Sequence, residues 1–290
     1  MSLQIIINGL ALGAVYALIS TGFSLIFNVL KFSNFSHGAL MTLSAFIGYF
    51  VSKATGWMLI PVIAVSMIAG GLIALGGELV AFRKITLRNT SPIYFFVSSI
   101  TLGTFFEAIV TIWVGPNFYS YPRFFKDSVI RFSGLVISKS DLIMFISSGS
   151  ALTILVLLIQ KTRLGRALRS VSFDRDTASL MGINVFRTIQ LAFFLSGALA
   201  GLAGVFLGIN YTLFPQLGNL VVKGFIASVI GGLGSISGAV IGSVLLGLTE
   251  TLLINYVGSG YAPIFSFLIM LIFLLVRPRG ISGSNIQEKA

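Results

Sequence analysis

Reactive side chains are few in this 290-residue sequence, and none stands in a catalytic pattern. The chain has no cysteine and a single histidine, which argues against thiolate chemistry, a disulfide framework and a histidine-rich metal site. It contains no G-x-x-x-x-G-K-S/T, H-E-x-x-H or G-x-S-x-G motif, and the glycine-rich residues 231–238 lack the lysine of a nucleotide-binding loop. We therefore expect no catalytic residue, no metal site and no cofactor bound by this chain.

Polar side chains recur within the apolar stretch at residues 91–113. Ser98, Thr101, Thr104, Glu107 and Thr111 are spaced by three or four residues, which predicts a polar stripe on one face of a helix. An ionisable group within an apolar helix is costly and usually faces a cavity or a partner. The stripe therefore marks either a hydrated path or a set of hydrogen bonds between helices.

Two further acidic residues lie in or beside apolar runs. Glu250 is either a paired structural carboxylate or a path residue. Glu78 lies close to Arg83 near the end of an apolar run, so we interpret it as an interfacial charge whose head group reaches water.

A hydrogen-bonding cluster at residues 34–38 separates the first two apolar runs. Its polar residues could cap the second helix, while the amide groups of the first turn face a path and suit a carboxylate. The histidine is either a structural residue or a proton relay, and the structural role is the more common one. Ser235 and Ser237, in the glycine-rich stretch 231–238, are added to this set. The candidate path residues are Asn34, Ser36, His37, Ser98, Thr101, Glu107, Ser235 and Ser237.

Membrane-spanning helices must position these residues. Mean hydropathy is +1.00, and the runs Leu3–Leu30, 54–77 and 188–222 carry no charge. Each run exceeds the roughly 20 residues that cross a bilayer, and lipid cannot satisfy an open backbone. The sequence predicts an all-α integral membrane protein whose first run is a retained span. About eight transmembrane helices are expected, at residues 5–30, 35–51, 57–81, 91–113, 141–160, 188–210, within 224–256, and 262–276.

The net charge of +11 sits in the loops that flank these runs, where it sets orientation rather than binding nucleic acid. We place the basic loop 82–90, the block 161–187 and the tail after residue 276 in the cytoplasm. The number of spans between these loops then puts the loop 114–140 outside, although that loop carries four basic residues and one acidic one.

The block 161–187 is the most charged part of the chain, with six of the nineteen Lys+Arg residues and two of the eight acidic ones. Residues 165–171 and 175–181 are predicted to form short helices. Ser172 or Asp174 would be the N-cap of the second helix, and Gly182 would end it in the left-handed conformation. A loop patterned in this way is a candidate docking surface.

The stretch 224–256 is predicted to contain a break. Orientation requires an even number of crossings after residue 211, yet 33 residues of helix span only about 50 Å. We expect a re-entrant half-helix at 224–230, a turn at 231–235 and a longer helix returning toward Tyr256; the alternative is one ordinary span. The similar starts HGAL at 37–40 and SGAV at 237–240 indicate a weak inverted repeat, a transporter feature.

The ordered motifs of the chain resemble those of the LivH-type permease subunit of branched-chain amino acid ABC transporters, over nearly the whole length. The matching segments are NGL at 8–10, GAVYAL at 13–18, NFSHGA at 34–39, GRALR at 165–169, ASLMGIN at 178–184 and GGLGSISGA at 231–239. Two positions depart from the family pattern. Ser36 replaces the usual alanine, and Phe186 replaces an acidic residue before Arg187, which affects the edge of the expected ATPase contact.

The resemblance implies a single permease domain over residues 1–290 in the inner membrane of a bacterium or archaeon. It implies a second, homologous permease subunit as heterodimer partner, two cytoplasmic ATPase subunits that use ATP and Mg²⁺, and an extracytoplasmic solute-binding protein. The segment matching residues 165–184 would couple the permease to the ATPase. Its candidate contact residues are Arg166, Arg169, Asp174, Arg175, Asp176, Ala178, Met181 and Gly182.

The expected function is transport of branched-chain or other hydrophobic amino acids by rigid-body rocking of the helices. Urea or short-chain amides are the alternative substrates for a permease of this type. A stand-alone secondary transporter or channel would depend on Glu107, Glu250 and His37 for its ion or proton relay. A membrane enzyme would need a nucleophile or metal cluster, for which the sequence offers no material.

Overall fold

The computed structural model describes residues 2–88, 90–122, 124, 129–132, 135–277 and 280–282. Its apolar runs form helices, because a helix satisfies its own backbone hydrogen bonds in lipid. The helices are α1 (Ser2–Leu30), α2 (Ser36–Thr55), α3 (Leu59–Gly77), α4 (Arg83–Leu87), α5 (Pro92–Val114), α6 (Lys139–Lys161), α7 (Arg163–Phe173), α8 (Arg175–Leu180), α9 (Val185–Asn210), α10 (Val221–Gly231), α11 (Ile236–Tyr256) and α12 (Ala262–Val276).

Six helical stretches of the described chain are long and apolar enough to cross a membrane. They are Leu3–Leu30, Leu59–Leu87, Pro92–Val114, Lys139–Lys161, Val185–Asn210 and Ile236–Tyr256. The all-α membrane fold is thus confirmed, whereas the expected number of eight spans is not, since α2, α10 and α12 fall outside this set. The second stretch is continuous because a π-helix, Glu78–Phe82, joins α3 to α4.

One small β-hairpin departs from the helical pattern. Strands β1 (Val129–Phe132) and β2 (Leu135–Ser138) pair antiparallel, with Val129 opposite Ser138 and Phe132 opposite Leu135. The hairpin lies in the loop between α5 and α6, which the number of predicted crossings placed outside against its basic charge. We call this the hairpin end of the bundle, and the end that carries α7 and α8 the basic end.

Helix α2 begins in the interior of the bundle rather than at its basic end. A methyl group on Gly22 of α1 would lie 2.8 Å from Cε1 of His37, and one on Gly103, midway along α5, would lie 3.3 Å from Cα of Ser36. Gly22 is roughly 12 Å along the helix axis from Leu30, at 1.5 Å per residue. Residues 31–35 therefore run back from the end of α1 into the bundle before α2 starts.

Helix α10 begins at the same depth and runs the opposite way. A 3₁₀-helix, Pro215–Leu220, leads into it, and a methyl group on Gly38 would lie only 2.1 Å from the carbonyl oxygen of Gly218. Further along, Ser228 Oγ lies 2.7 Å from Ser24 Oγ of α1. The helix therefore descends beside α1 toward the basic end, while α2 rises toward the hairpin end.

The break predicted at residues 231–235 is present, because α10 ends at Gly231 and α11 starts at Ile236. Its predicted depth is wrong. A Cβ on Gly234 would lie 3.5 Å from Phe27 near the end of α1, and Ile281 N donates to the carbonyl oxygen of Ile230, 3.0 Å away. The turn thus lies at the basic end. The prediction failed because the crossing starts near residue 211 rather than 224. The breaks in α-helical structure at depth are at residues 31–35 and 211–220 instead, the second of which contains the 3₁₀-helix.

Candidate transport site and coupling surface

The start of α2 is capped from within the bundle by Asn34. Its Oδ1 accepts a hydrogen bond from the backbone N of Ser36 at 3.2 Å and from the Ser36 hydroxyl at 2.7 Å. The backbone N of His37 donates to the carbonyl oxygen of Asn34 at 3.4 Å. The predicted capping is met only in part, since Asn34 accepts from the first amide of α2, whereas the N-cap position is Phe35 and its side chain makes no cap bond. The cap also occupies two amide groups of the first turn that were expected to be open to a carboxylate.

His37 faces the packed interior. Its side chain is 2% exposed, and Nδ1 lies 3.3 Å from the hydroxyl of Ser196 on α9. That hydroxyl donates to the carbonyl oxygen of Gly22 on α1 at 2.8 Å, so it can accept a hydrogen bond from Nδ1. His37 thereby joins α1, α2 and α9, which favours its structural interpretation over a proton relay.

An open cavity of about 290 Å³ lies where the starts of α2 and α10 meet the middle of α5. Most of its lining is apolar, and the polar lining side chains come from α5 and from the 3₁₀-helix. The lining residues are Phe35, Ala39, Phe96, Ile100, Gly103, Thr104, Glu107, Pro215, Gln216, Gly218, Asn219, Val221 and Val222. We call this space the transport cavity, after the role that we propose for it below.

The polar residues of α5 do not share one face, so that prediction is wrong. Thr104 and Glu107 line the transport cavity, whereas Ser98 donates to the carbonyl oxygen of Ala81 at 3.1 Å and Thr101 is exposed. Each three-residue step falls about 60° short of a full turn, so three such steps carry Glu107 to the side of the helix opposite Ser98. Of the predicted stripe, only Thr104 and Glu107 line the transport cavity.

The two serines of the second break lie elsewhere. Ser235 Oγ accepts a hydrogen bond from the backbone N of Gly238 at 3.1 Å, which makes it the N-cap of α11 at the basic end. Ser237 is exposed at the same end. Of the eight candidate path residues, Glu107 lines the transport cavity, and Asn34 and Ser36 position its wall without lining it.

Glu250 is paired inside the bundle. Its Oε2 accepts a hydrogen bond from the hydroxyl of Tyr16 at 3.0 Å, and its Oε1 forms a salt bridge with Nζ of Lys223. Glu250 is buried and Lys223 is largely buried, so the pair ties α1, α10 and α11 together. Sequence reasoning missed Lys223, although a lysine beside a long uncharged run is itself a signal for an internal partner.

Glu78 is buried rather than interfacial, contrary to the sequence interpretation. Both its carboxylate oxygens accept hydrogen bonds from Arg83, at 3.2 and 3.1 Å, across the π-helix. The Arg83 guanidinium also lies 5.6 Å from the ring centroid of Phe186, in the first turn of α9. The residue that departs from the family pattern therefore packs against a basic side chain of its own subunit.

The segment 161–187 has the predicted helices and caps. Asp174 Oδ1 accepts a hydrogen bond from the backbone N of Thr177 at 3.0 Å, and Gly182 ends α8 with φ of +81°. Arg175 Nη2 donates to the carbonyl oxygen of Val29 at 2.8 Å, which fastens the segment to the end of α1. Arg169 donates in the same way to the carbonyl oxygen of Ile159.

An apolar tip projects from this segment. The side chains of Phe173, Leu180 and Met181 are 92%, 87% and 78% exposed, respectively. Arg166, Asp174 and Asp176 are exposed nearby, whereas Ala178 is buried against the bundle. Exposed apolar groups with a polar rim at the end of a membrane protein are typical of a protein-binding surface.

Close packing at the start of α2 makes a test possible. Gly38→Ala places a methyl group 2.1 Å from the carbonyl oxygen of Gly218, so the two segments must separate. We expect a loss of stability of about 1–3 kcal/mol, measured by thermal unfolding in detergent. Gly149→Ala is the control, because a Cβ there meets nothing within 4 Å. An equal effect of the two substitutions would contradict the packing.

Comparison with known proteins identifies the family to which the chain belongs. The model of the family described as branched-chain amino acid transport system / permease component matches residues 5–276. The high-affinity branched-chain amino acid transport system permease protein LivH of Escherichia coli K12 is 32% identical, over 99% of this chain and 97% of its own. The permease protein LivM of the same organism is 23% identical, over 92% of this chain and 67% of its own.

A solved structure shows the same fold. A chain of PsaBC from Streptococcus pneumoniae in complex with Fab superposes with a TM-score of 0.53 at 16% identity, covering 94% of this chain and 91% of that one. The described helices thus form a multi-pass membrane bundle with the fold of that solved chain. The chain belongs to the family of permease components of branched-chain amino acid transport systems. It is a transport subunit rather than an enzyme.

Proposed function

We propose that this chain is one permease subunit of a binding-protein-dependent ABC importer for branched-chain or other hydrophobic amino acids. The likeness to LivH over nearly the full length of both chains carries the proposal. Two structural features support it: an open cavity at the meeting point of two helix starts, and a capped segment with an exposed apolar tip. The cavity would form the substrate path, and the capped segment would transmit the conformational change of an ATPase to the helices.

The transport cavity suits a small zwitterion with an apolar side chain. Glu107 can pair with an ammonium group, and the amide side chains of Gln216 and Asn219 can donate to a carboxylate. Phe96 and Ile100 would pack against the branched side chain. A second permease subunit, homologous as LivM is to this chain, would close the open side of the cavity and complete the path.

The complex would contain two ATPase subunits and an external binding protein. The ATPase subunits use ATP and Mg²⁺ beneath the tip formed by Phe173, Leu180 and Met181, and the binding protein delivers the amino acid at the hairpin end. Affinity would reside mainly in that binding protein, so the path needs few polar contacts. The whole assembly would lie in the inner membrane of a bacterium or archaeon.

Reconstitution tests the substrate. The full complex, with its binding protein, is placed in proteoliposomes loaded with ATP and Mg²⁺ on the ATPase side. We expect ATP-dependent accumulation of leucine, isoleucine or valine, and none of urea or acetamide. Accumulation of urea alone would assign the amide alternative, and uptake driven by an ion gradient without the ATPase subunits would refute the ABC mechanism.

Glu107 offers a test of the path itself. We expect Glu107→Gln to lower leucine uptake about tenfold, because a glutamine can still accept a hydrogen bond but lacks the negative charge that strengthens the bond to an ammonium group. A matched pair on the same helix supplies the control. Thr104→Val alters the cavity lining and should lower uptake severalfold, whereas Thr101→Val alters an exposed position outside it and should not. Equal effects of the two threonine variants would place the path elsewhere.

A further inference from the structure

A second large cavity, of about 300 Å³, lies at the basic end and is separate from the transport cavity. It is bounded by the end of α1, by α4, by the start of α5 and by the junction of α7 and α8. Seven of its thirteen lining residues are apolar, and the others carry hydroxyl groups or charges. A space of mixed character at this position fits an amphiphile better than a small ion.

Two basic side chains line this cavity, Lys31 and Arg175. Lys31 ends α1 in the left-handed region, with φ of 58°, and is the only described non-glycine residue with positive φ. Arg175 is held beside it, because its Nη2 donates to the carbonyl oxygen of Val29 at 2.8 Å. That bond uses one of the five guanidinium N–H groups and leaves others for a ligand.

Lys31, which is exposed, and Arg175, which is partly buried, both stand where a positive charge is disfavoured. Burial lowers the pKa of Lys31, and the positive charge of Arg175 lowers that pKa further. Burial also lowers the pKa of Arg175, and nearby Asp176 only partly opposes this effect. Asp174 also lines the cavity and contributes a negative charge there, while its Oδ1 accepts the N-cap hydrogen bond of α8. Neither cation forms a salt bridge with any residue of the described chain, so an anion bound between them would relieve the repulsion.

The surroundings of the cavity point to lipid as the source of the anion. It lies at the end of Leu3–Leu30 and the start of Pro92–Val114, two helical stretches long enough to cross a membrane, so we expect it at the level of the phospholipid head groups. Leu87, Ile93 and Tyr94, which flank the lining residues in sequence, are exposed apolar or aromatic side chains. Basic spaces between helices on the cytoplasmic side are suited to anionic head groups.

We propose that this cavity binds an anionic phospholipid of the cytoplasmic leaflet. Lys31 and Arg175 hold its phosphate, while Val29, Ile85 and Phe95 pack against its glycerol and upper acyl chain. The bound lipid would join α1 to the start of the segment that carries the apolar tip. This site is distinct from the transport cavity, and its occupancy does not depend on which substrate is transported.

Native mass spectrometry of the purified permease pair tests the site. Phosphatidylglycerol or phosphatidylcholine is added at equal concentration to the detergent-solubilised protein, and the retained lipid is counted. We expect the wild type to retain phosphatidylglycerol preferentially, and Lys31→Asn to lower that retention about fivefold, the effect of one basic residue at a charged membrane surface. Asparagine removes the charge yet tolerates the left-handed backbone, so α1 should end as before.

Lys84→Asn is the matched control, since Lys84 is exposed on α4 and does not line the cavity. It should retain phosphatidylglycerol like the wild type. Equal retention by the two variants, or equal retention of the two lipids, would overturn the proposal. Binding of inorganic phosphate at the site, with retention of neither lipid, would show a simple phosphate site. A carbodiimide cross-link from Lys31 to an ATPase subunit, with loss of the lipid on assembly, would show a protein contact. Either outcome refutes the lipid assignment. ATP-driven uptake by the full complex is measured separately, so failure of the lipid site is distinguished from failure of the proposed transport function.

Discussion

Lys223→Met is expected to destabilise the helix bundle by about 3 kcal/mol, the lower end of the cost of breaking a buried ion pair. The substitution leaves the carboxylate of Glu250 buried with only the hydroxyl of Tyr16 as a described partner. Lys223 retains some exposure to solvent, which is why the lower end applies. Thermal unfolding of the purified chain in detergent measures the effect. Because the pair links α10 to both α1 and α11, α10 should also become more accessible to protease.

A double variant separates the ion pair from simple loss of packing. Lys223→Met combined with Glu250→Gln removes both charges, and we expect it to recover at least half of the lost stability, since no uncompensated charge remains. Lys53→Met is the control, because Lys53 is an exposed basic residue near the end of α2 and should be neutral. A double variant as unstable as Lys223→Met would contradict the role assigned to the pair.

Leu180→Asp combined with Met181→Asp is expected to abolish ATP-driven uptake by the full complex, a loss of at least about tenfold. The two side chains form most of the apolar tip, and charged groups there would have to be desolvated against the ATPase. The helices themselves should be unaffected, because both positions are exposed and the caps at Asp174 and Gly182 are retained. Leucine uptake and ATP hydrolysis are measured on the same proteoliposomes.

The exchanged variant, Leu180→Met with Met181→Leu, keeps the apolar character of the tip and serves as control. We expect it to transport at nearly the wild-type rate. If the charged variant transported equally well, the segment 161–187 would have no part in coupling. If it lost ATP hydrolysis and permease pairing together, misfolding rather than coupling would be the cause.

Local signals in the sequence predicted local structure well. The N-cap at Asp174 and the left-handed stop at Gly182 were predictable because the chemistry of a helix end lies within a few residues of it. The break at 231–235 was predictable for the same reason, since adjacent glycines and a serine cap mark it. The order of the apolar runs also follows the helices closely, because lipid imposes helical structure on any long uncharged stretch.

Depth and pairing could not be predicted in this way. The start of α2 meets the 3₁₀-helix through Gly38 and Gly218, which are far apart in sequence. Glu250 likewise meets Lys223 and Tyr16 only because three helices converge. A charge in an apolar run indicates that a partner exists, but it does not identify that partner. The transport cavity depends on the same long-range contacts, so the sequence yielded Glu107 and not Gln216 or Asn219.

Cysteine labelling gives the most direct test of the central claim, that the tip at residues 173–181 lies in the cytoplasm against an ATPase. The chain has no cysteine of its own, so Met181→Cys introduces a single reactive thiol. We expect a membrane-impermeant maleimide to leave this variant unlabelled in intact cells, to label it in inverted vesicles stripped of the ATPase subunits, and to fail again once those subunits are restored. Labelling in intact cells, or labelling that the ATPase subunits do not block, would contradict the account.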